Sequence, residues 1–93
     1  MREKSTSPHR RVLLVDDDAP LRESLAEQLR LHEEFDISEA GSGAEAMERA
    51  KSQRFDLVLL DVGLPDMDGR ELCKVLRRTG NKMPIIMLTA ADT

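Results

Sequence analysis

The sequence predicts an α/β domain built on an open, doubly wound parallel sheet. Two observations carry this. Short apolar runs alternate with amphipathic segments along the chain, and three of the runs are continuous, as expected for strands buried on both faces. Short connections between such elements favour parallel strands joined by right-handed crossovers, with helices on both faces. At 93 residues the chain is one domain at most.

Residues 1–10 read as a flexible N-terminal arm. They hold Ser5, Thr6, Ser7 and Pro8 and show no apolar periodicity. The domain is expected over 11–93. Val12-Leu13-Leu14-Val15 is the first strand, followed by Asp16, Asp17 and Asp18. Asp18 is a natural N-cap and Pro20 suits the first turn of a helix. Leu21, Leu25 and Leu29 then recur every fourth residue and predict one apolar stripe. Phe35 to Ala40 is a weaker strand in which Phe35, Ile37 and Glu39 share a face. Ser42 and Glu45 have capping-box spacing, and Ala46, Met47 and Ala50 supply the buried face of a second helix. Leu57-Val58-Leu59-Leu60 is the third strand and ends in Asp61. Asp68 and Glu71 repeat the capping-box spacing, Leu72, Val75 and Leu76 follow, and Gly80 is a helix stop. Pro84 opens the last strand, Ile85-Ile86-Met87-Leu88, which ends in Thr89.

Composition excludes several functions. Fourteen basic against eighteen acidic side chains give a net charge of −4, whereas nucleic-acid modules usually carry a basic surplus. Phe35 and Phe55 are the only aromatic residues, so base-stacking platforms and aromatic cages are out. Cys73 stands alone and cannot form an internal disulfide, which favours a reducing cytosol. No apolar stretch approaches the roughly 20 residues of a membrane span, and the polar N-terminus does not resemble a signal peptide. A cytoplasmic protein without membrane or nucleic-acid contacts is expected.

Ligands of open α/β sheets bind at the carboxyl ends of the strands. Asp16 and Asp17 stand at the end of the first strand, Asp61 at the end of the third and Thr89 at the end of the fourth. If the first and third strands are neighbours, roughly 4.8 Å apart, three carboxylates converge. Like charges so close raise one another's pKa, and a divalent cation relieves the repulsion. An all-oxygen ligand set suits Mg²⁺. His9 lies in the arm and His32 late in the first helix, away from the cluster, and no Ser-His or Cys-His pair is apparent. The remaining chemistry is a carboxylate nucleophile with Mg²⁺, suited to phosphoryl transfer onto an aspartate. A hydroxyl at Thr89 is placed to donate to a phosphoryl oxygen.

Three stretches carry a family resemblance: Val12-Leu13-Leu14-Val15-Asp16-Asp17-Asp18, Asp61-Val62-Gly63-Leu64-Pro65-Asp66-Met67-Asp68-Gly69, and Pro84-Ile85-Ile86-Met87-Leu88-Thr89-Ala90. From about Arg11 onward the chain resembles the receiver domain of bacterial two-component response regulators. The resemblance implies a flavodoxin-like sheet of order 2-1-3-4, with the fifth strand and last two helices absent. It implies Asp61 as phosphoacceptor and Mg²⁺ held by Asp17 directly, by Asp16 more through water, by Asp61 and by the backbone carbonyl of Gly63. Thr89 corresponds to the switch hydroxyl, and Pro65 and Gly69 shape the loop. Implied partners are a sensor histidine kinase or a histidine phosphotransfer protein, with the signal passed to an output domain or partner. A receiver is not an enzyme beyond slow self-dephosphorylation. The family's lysine at the end of the fifth strand has no counterpart, because Lys82 precedes the fourth strand at the opposite end of the sheet. An unpaired fourth-strand edge predicts self-association.

Two other readings remain open on the residues. Gly41-Ser42-Gly43-Ala44-Glu45-Ala46 fits a dinucleotide-binding G-x-G-x-x-A, although Glu45 would repel a pyrophosphate. Asp16 with Asp18 has the spacing of a Mg²⁺-dependent phosphatase that uses an aspartate nucleophile.

Overall fold

The computed structural model describes residues 9–80 and 82–88. Seven elements alternate: β1 (Arg10–Val15), α1 (Ala19–Arg30), β2 (Phe35–Ala40), α2 (Gly43–Ser52), β3 (Leu57–Leu60), α3 (Gly69–Arg78) and β4 (Ile85–Met87). The strands form one parallel sheet in the order β2-β1-β3-β4. The expected alternation, parallel pairing and strand order are all present.

β1 starts earlier than its apolar run. Arg10 N–H donates to the Glu34 carbonyl at 2.7 Å, and Asp56 N–H donates to the Arg11 carbonyl at 2.7 Å. The Asp56 carboxylate accepts from Arg11 N–H at 2.8 Å. Backbone pairing thus extends β1 through two polar residues that no hydrophobic pattern marks.

The continuous runs fill two core layers. Val12 and Leu14 face α1, meeting Ile37, Ala26, Leu25, Leu29, Phe35, Leu57 and Leu59. Leu13 and Val15 point the other way, toward α2 and α3, and meet Val58, Leu60, Ala46, Leu72 and Leu76. Alternate residues therefore serve opposite layers, and both faces need apolar side chains. Each fully buried leucine among them contributes about 2 kcal/mol of transfer free energy.

The α1 stripe is displaced from the expected one. Leu25, Ala26 and Leu29 pack on the sheet, while Leu21 is 50% exposed. A spacing of four drifts around a helix of 3.6 residues per turn. The sheet-facing line runs through Arg22, Leu25, Ala26 and Leu29, which leaves Leu21 on the flank.

The expected N-caps form at all three helices, by Asp18, Ser42 and Asp68. Asp18 accepts from Leu21 N–H at 3.1 Å. Ser42 accepts from Glu45 N–H at 3.2 Å, but Glu45 reaches back to Gly41 N–H at 2.6 Å and not to that of Ser42. At α3, Asp68 accepts from Arg70 N–H at 2.7 Å, and Glu71 stands 4.0 Å from Lys74. Gly80 terminates α3 with φ +89°, a left-handed conformation that glycine adopts without Cβ strain.

β4 is the edge of the described sheet. Ile85 packs on the α2/α3 layer. Ile86 is 49% exposed, and Met87 and Leu88 are exposed as well.

Candidate functional site: a three-carboxylate cluster at the strand ends

β1 and β3 are neighbours in parallel register, Val15 opposite Leu60. The next residue of each strand, Asp16 and Asp61, therefore leaves the sheet side by side. Asp61 N–H donates to the Val15 carbonyl at 2.9 Å, and Asp16 N–H donates to the Ala40 carbonyl at 3.0 Å. These bonds tie the end of β1 to both of its neighbours. Oxygen atoms of Asp16, Asp17 and Asp61 lie within 4.8 Å of one another.

Their environments differ. Asp16 is only 4% exposed, Asp61 is partly buried and Asp17 is open to solvent. Burial pushes the Asp16 carboxyl above the ordinary carboxylate range. A hydrogen bond from Asp18 N–H, at 3.0 Å, opposes this, and the negative charges of Asp61, Asp17 and Asp18 reinforce it. A buried carboxylate among like charges is costly when ionised. Three hard oxygen donors with one solvent-facing side fit a Mg²⁺-like cation that keeps part of its water shell.

Asp18 is not in this group. Its carboxylate caps α1, which removes the spacing argument for a phosphatase built on Asp16 and Asp18. Gly63 lies in the exposed loop after β3, in an antiparallel bridge with Asp68. A Cβ at Gly63 would meet nothing within 4 Å, so only its backbone is engaged. Thr89, the expected switch hydroxyl, lies outside the described residues, as do residues 1–8 of the arm. Lys82 lines a cavity with Arg54, Phe55, Asp56, Gly80 and Met83, at the opposite end of the sheet from the carboxylates.

The loop after β3 is anchored twice. Gly69 N–H donates to the Val62 carbonyl at 2.8 Å. A Cβ on Gly69 would lie 2.8 Å from the Asp61 carbonyl oxygen and 2.9 Å from Val62 Cα. These are backbone atoms and cannot swing aside. Gly69→Ala should therefore force α3 away from the strand end, costing about 1–3 kcal/mol and displacing Asp61. Urea denaturation measures the cost, and an unchanged midpoint would show that the loop absorbs the methyl group.

The second anchor is Asp66, which the sequence reading passed over. Its carboxylate accepts from Gly43 N–H at 2.8 Å and from Ala44 N–H at 2.9 Å. Beside it, Met67 covers Gly43, where a Cβ would come within 2.6 Å of the methionine side chain. Gly43 thus serves a loop docked on the start of α2. Asp66 already occupies the N–H groups that a pyrophosphate would need, which corrects the dinucleotide reading of Gly41 and Gly43. The two N–H donors hold the Asp66 carboxyl below its ordinary range. A depressed folded-state pKa contributes stability above the unfolded-state value, and the contribution disappears as pH falls through the folded-state value. Asp66→Asn should thus lower the melting temperature at neutral pH, and the gap to wild type should close in acid. A gap independent of pH would contradict this.

The family described as "Response regulator receiver domain" matches residues 12–93. The response regulator MprA of Mycobacterium ulcerans is 45% identical over 83 residues, 89% of this chain and 35% of that protein. The MprA of Mycolicibacterium vanbaalenii is also 45% identical, over 89% of this chain and 36% of its own length. The chain thus spans about a third of these relatives. Among solved structures, the receiver domain of Francisella response regulator 1452 superposes with TM-score 0.83 at 28% identity, covering 90% of this chain and 69% of its own. The chemotaxis response regulator CheY4 of Vibrio cholerae gives TM-score 0.83 at 32% identity, over 90% of this chain and 71% of its own. The MaeR response regulator bound to beryllium trifluoride gives TM-score 0.81 at 32% identity, over 90% and 70%. With sheet order, strand-end carboxylates and family match in agreement, this chain belongs to the receiver domains of response regulators.

Proposed function

We propose that the chain is the phosphoacceptor module of a two-component phosphorelay and takes a phosphoryl group on Asp61. The observation that carries this reading is the meeting of Asp61 with Asp16 and Asp17 within 4.8 Å. An Asp61 carboxylate oxygen attacks the phosphorus of the donor. The bond from phosphorus to the donor's leaving atom breaks, and an acyl phosphate forms. Asp16 and Asp17, with Asp61 and the Gly63 carbonyl, are the residues that would hold Mg²⁺. When bound, the ion neutralises charge between the nucleophile and the incoming phosphoryl oxygens. Thr89, as the residue that follows the fourth apolar run, is assigned the hydroxyl that answers phosphorylation. Slow attack by water on the acyl phosphate returns Asp61 to its carboxylate.

The donor is a phosphohistidine of a sensor kinase or a histidine phosphotransfer protein, and the receiver, over 11–93, passes its state to an output domain or partner in the cytoplasm. Arg10, placed in the arm by the sequence pattern, is instead the first residue of β1. No helix among the described residues is long and apolar enough to cross a membrane. The exposed side chains of Ile86, Met87 and Leu88 along the sheet edge support self-association of the 93-residue chain through β4. Light scattering tests that contact.

A small phosphodonor tests the main reading. With acetyl phosphate and Mg²⁺, intact-mass spectrometry should find one added phosphoryl group, which a chelator prevents. Uptake that is indifferent to the chelator would remove the cation from the account.

A further inference from the structure

The carboxylate pair is held from behind by a side chain outside the cluster. Arg22 lies in the first turns of α1, on the line that faces the sheet. Its Nη1 donates to the backbone carbonyl of Asp16 at 2.8 Å. Its Nε donates to Glu39 Oε1, at the end of β2, at 2.9 Å. The Arg22 and Glu39 side chains are only 16% and 22% exposed. Glu39 Oε2 in turn stands 3.3 Å from Arg30 Nη1, and Arg30 Nη2 donates to the Ile37 carbonyl at 3.0 Å. Gly41 leaves room for this arrangement, since a Cβ there would lie 3.0 Å from Arg22 Nη1.

The carbonyl that Arg22 holds belongs to the peptide between Asp16 and Asp17. That peptide plane sets the direction in which Asp17 leaves the strand end. The Asp16 side chain is fixed separately, by Asp18 N–H, and Asp17 is the exposed member of the cluster. A planar guanidinium donates in two fixed directions at once, which a lysine ammonium cannot reproduce on the same two acceptors.

We propose that Arg22, braced by Glu39, is a positioning residue that pins the Asp16–Asp17 peptide and so aims Asp17 into the carboxylate site. The inference rests on the reading of that cluster as a Mg²⁺ site. Outer partners of ligands commonly change metal affinity by about 10–100-fold, and an exposed Asp17 has little else to orient it. Arg30→Ala is the control, because it weakens the same ion-pair network without touching Asp16.

The test uses the 93-residue chain, Mg²⁺ as the probe and two readouts. Calorimetric titration well below the melting temperature should show Arg22→Ala binding Mg²⁺ roughly tenfold more weakly than wild type. Arg22→Lys should stay several-fold weak, and Arg30→Ala should match wild type. In metal-free protein, the Asp17 amide ¹⁵N resonance should move in both Arg22 variants and hold its place in Arg30→Ala, because that amide shares the pinned peptide. Wild-type affinity in Arg22→Ala, or full recovery in Arg22→Lys, would overturn the inference. An unmoved Asp17 resonance would overturn it too. A wild-type chain that binds no Mg²⁺ would instead defeat the reading of the cluster, while the metal-free resonance would still report on the pinned peptide.

Discussion

Asp61→Asn is expected to take up no phosphoryl group under conditions that label the wild-type chain fully. An amide oxygen is a far weaker nucleophile than a carboxylate, and the substitution leaves no acyl phosphate to form. The fold should survive, because the backbone N–H of residue 61, 2.9 Å from the Val15 carbonyl, keeps its place in the sheet whatever the side chain. The flanking core residues Leu60 and Val15 are fully buried and unaffected. The change also removes one of the charges that raise the Asp16 pKa, so the metal-free variant should be no less stable than wild type. Intact mass after acetyl phosphate treatment, beside a thermal melt, checks both halves. Equal labelling of variant and wild type would show that another group accepts phosphate.

The second large effect separates neighbouring aspartates. Asp17→Asn should weaken Mg²⁺ binding by an order of magnitude or more, about the scale of losing a ligand or its support. Asp18→Ala should leave affinity near wild type and instead cost about 1 kcal/mol of stability through the lost α1 cap. The assignment follows from geometry. Asp17 contributes an oxygen to the cluster with Asp16 and Asp61, whereas the Asp18 carboxylate faces Leu21 N–H. Calorimetry for the metal and denaturation for the cap decide it, and the reverse order would exchange the roles of the two residues.

Much of this site was legible because it hangs on strand ends. An apolar run that stops at an aspartate states where the strand stops and which side chain comes next. Parallel pairing of β1 with β3 then brings Asp16 beside Asp61 without further information. Contacts that join separate loops were not legible in the same way. Asp66 reaches Gly43 across 23 positions of sequence, and Arg22 meets Glu39 across 17. Neither pair leaves a local pattern, since any polar residue suits an exposed loop and any long cation suits a helix. The glycines at 41 and 43 did carry a signal. Their spacing also fits room for a phosphate, but the room is taken by Arg22 and Met67. Leu21 misled for a simpler reason. Spacing by four marks a stripe, but its centre is fixed only when the helix meets the sheet, and it falls between Leu25 and Ala26.

The central claim, that Asp61 receives the phosphoryl group beside the Asp16/Asp17 pair, is tested most directly by locating the adduct. The chain is treated with acetyl phosphate and Mg²⁺, reduced with borohydride, which converts an aspartyl phosphate to homoserine, and sequenced by mass spectrometry. The account predicts conversion at position 61 alone. Conversion at Asp16 or Asp17, or an adduct on His9 or His32 that borohydride leaves untouched, would contradict it.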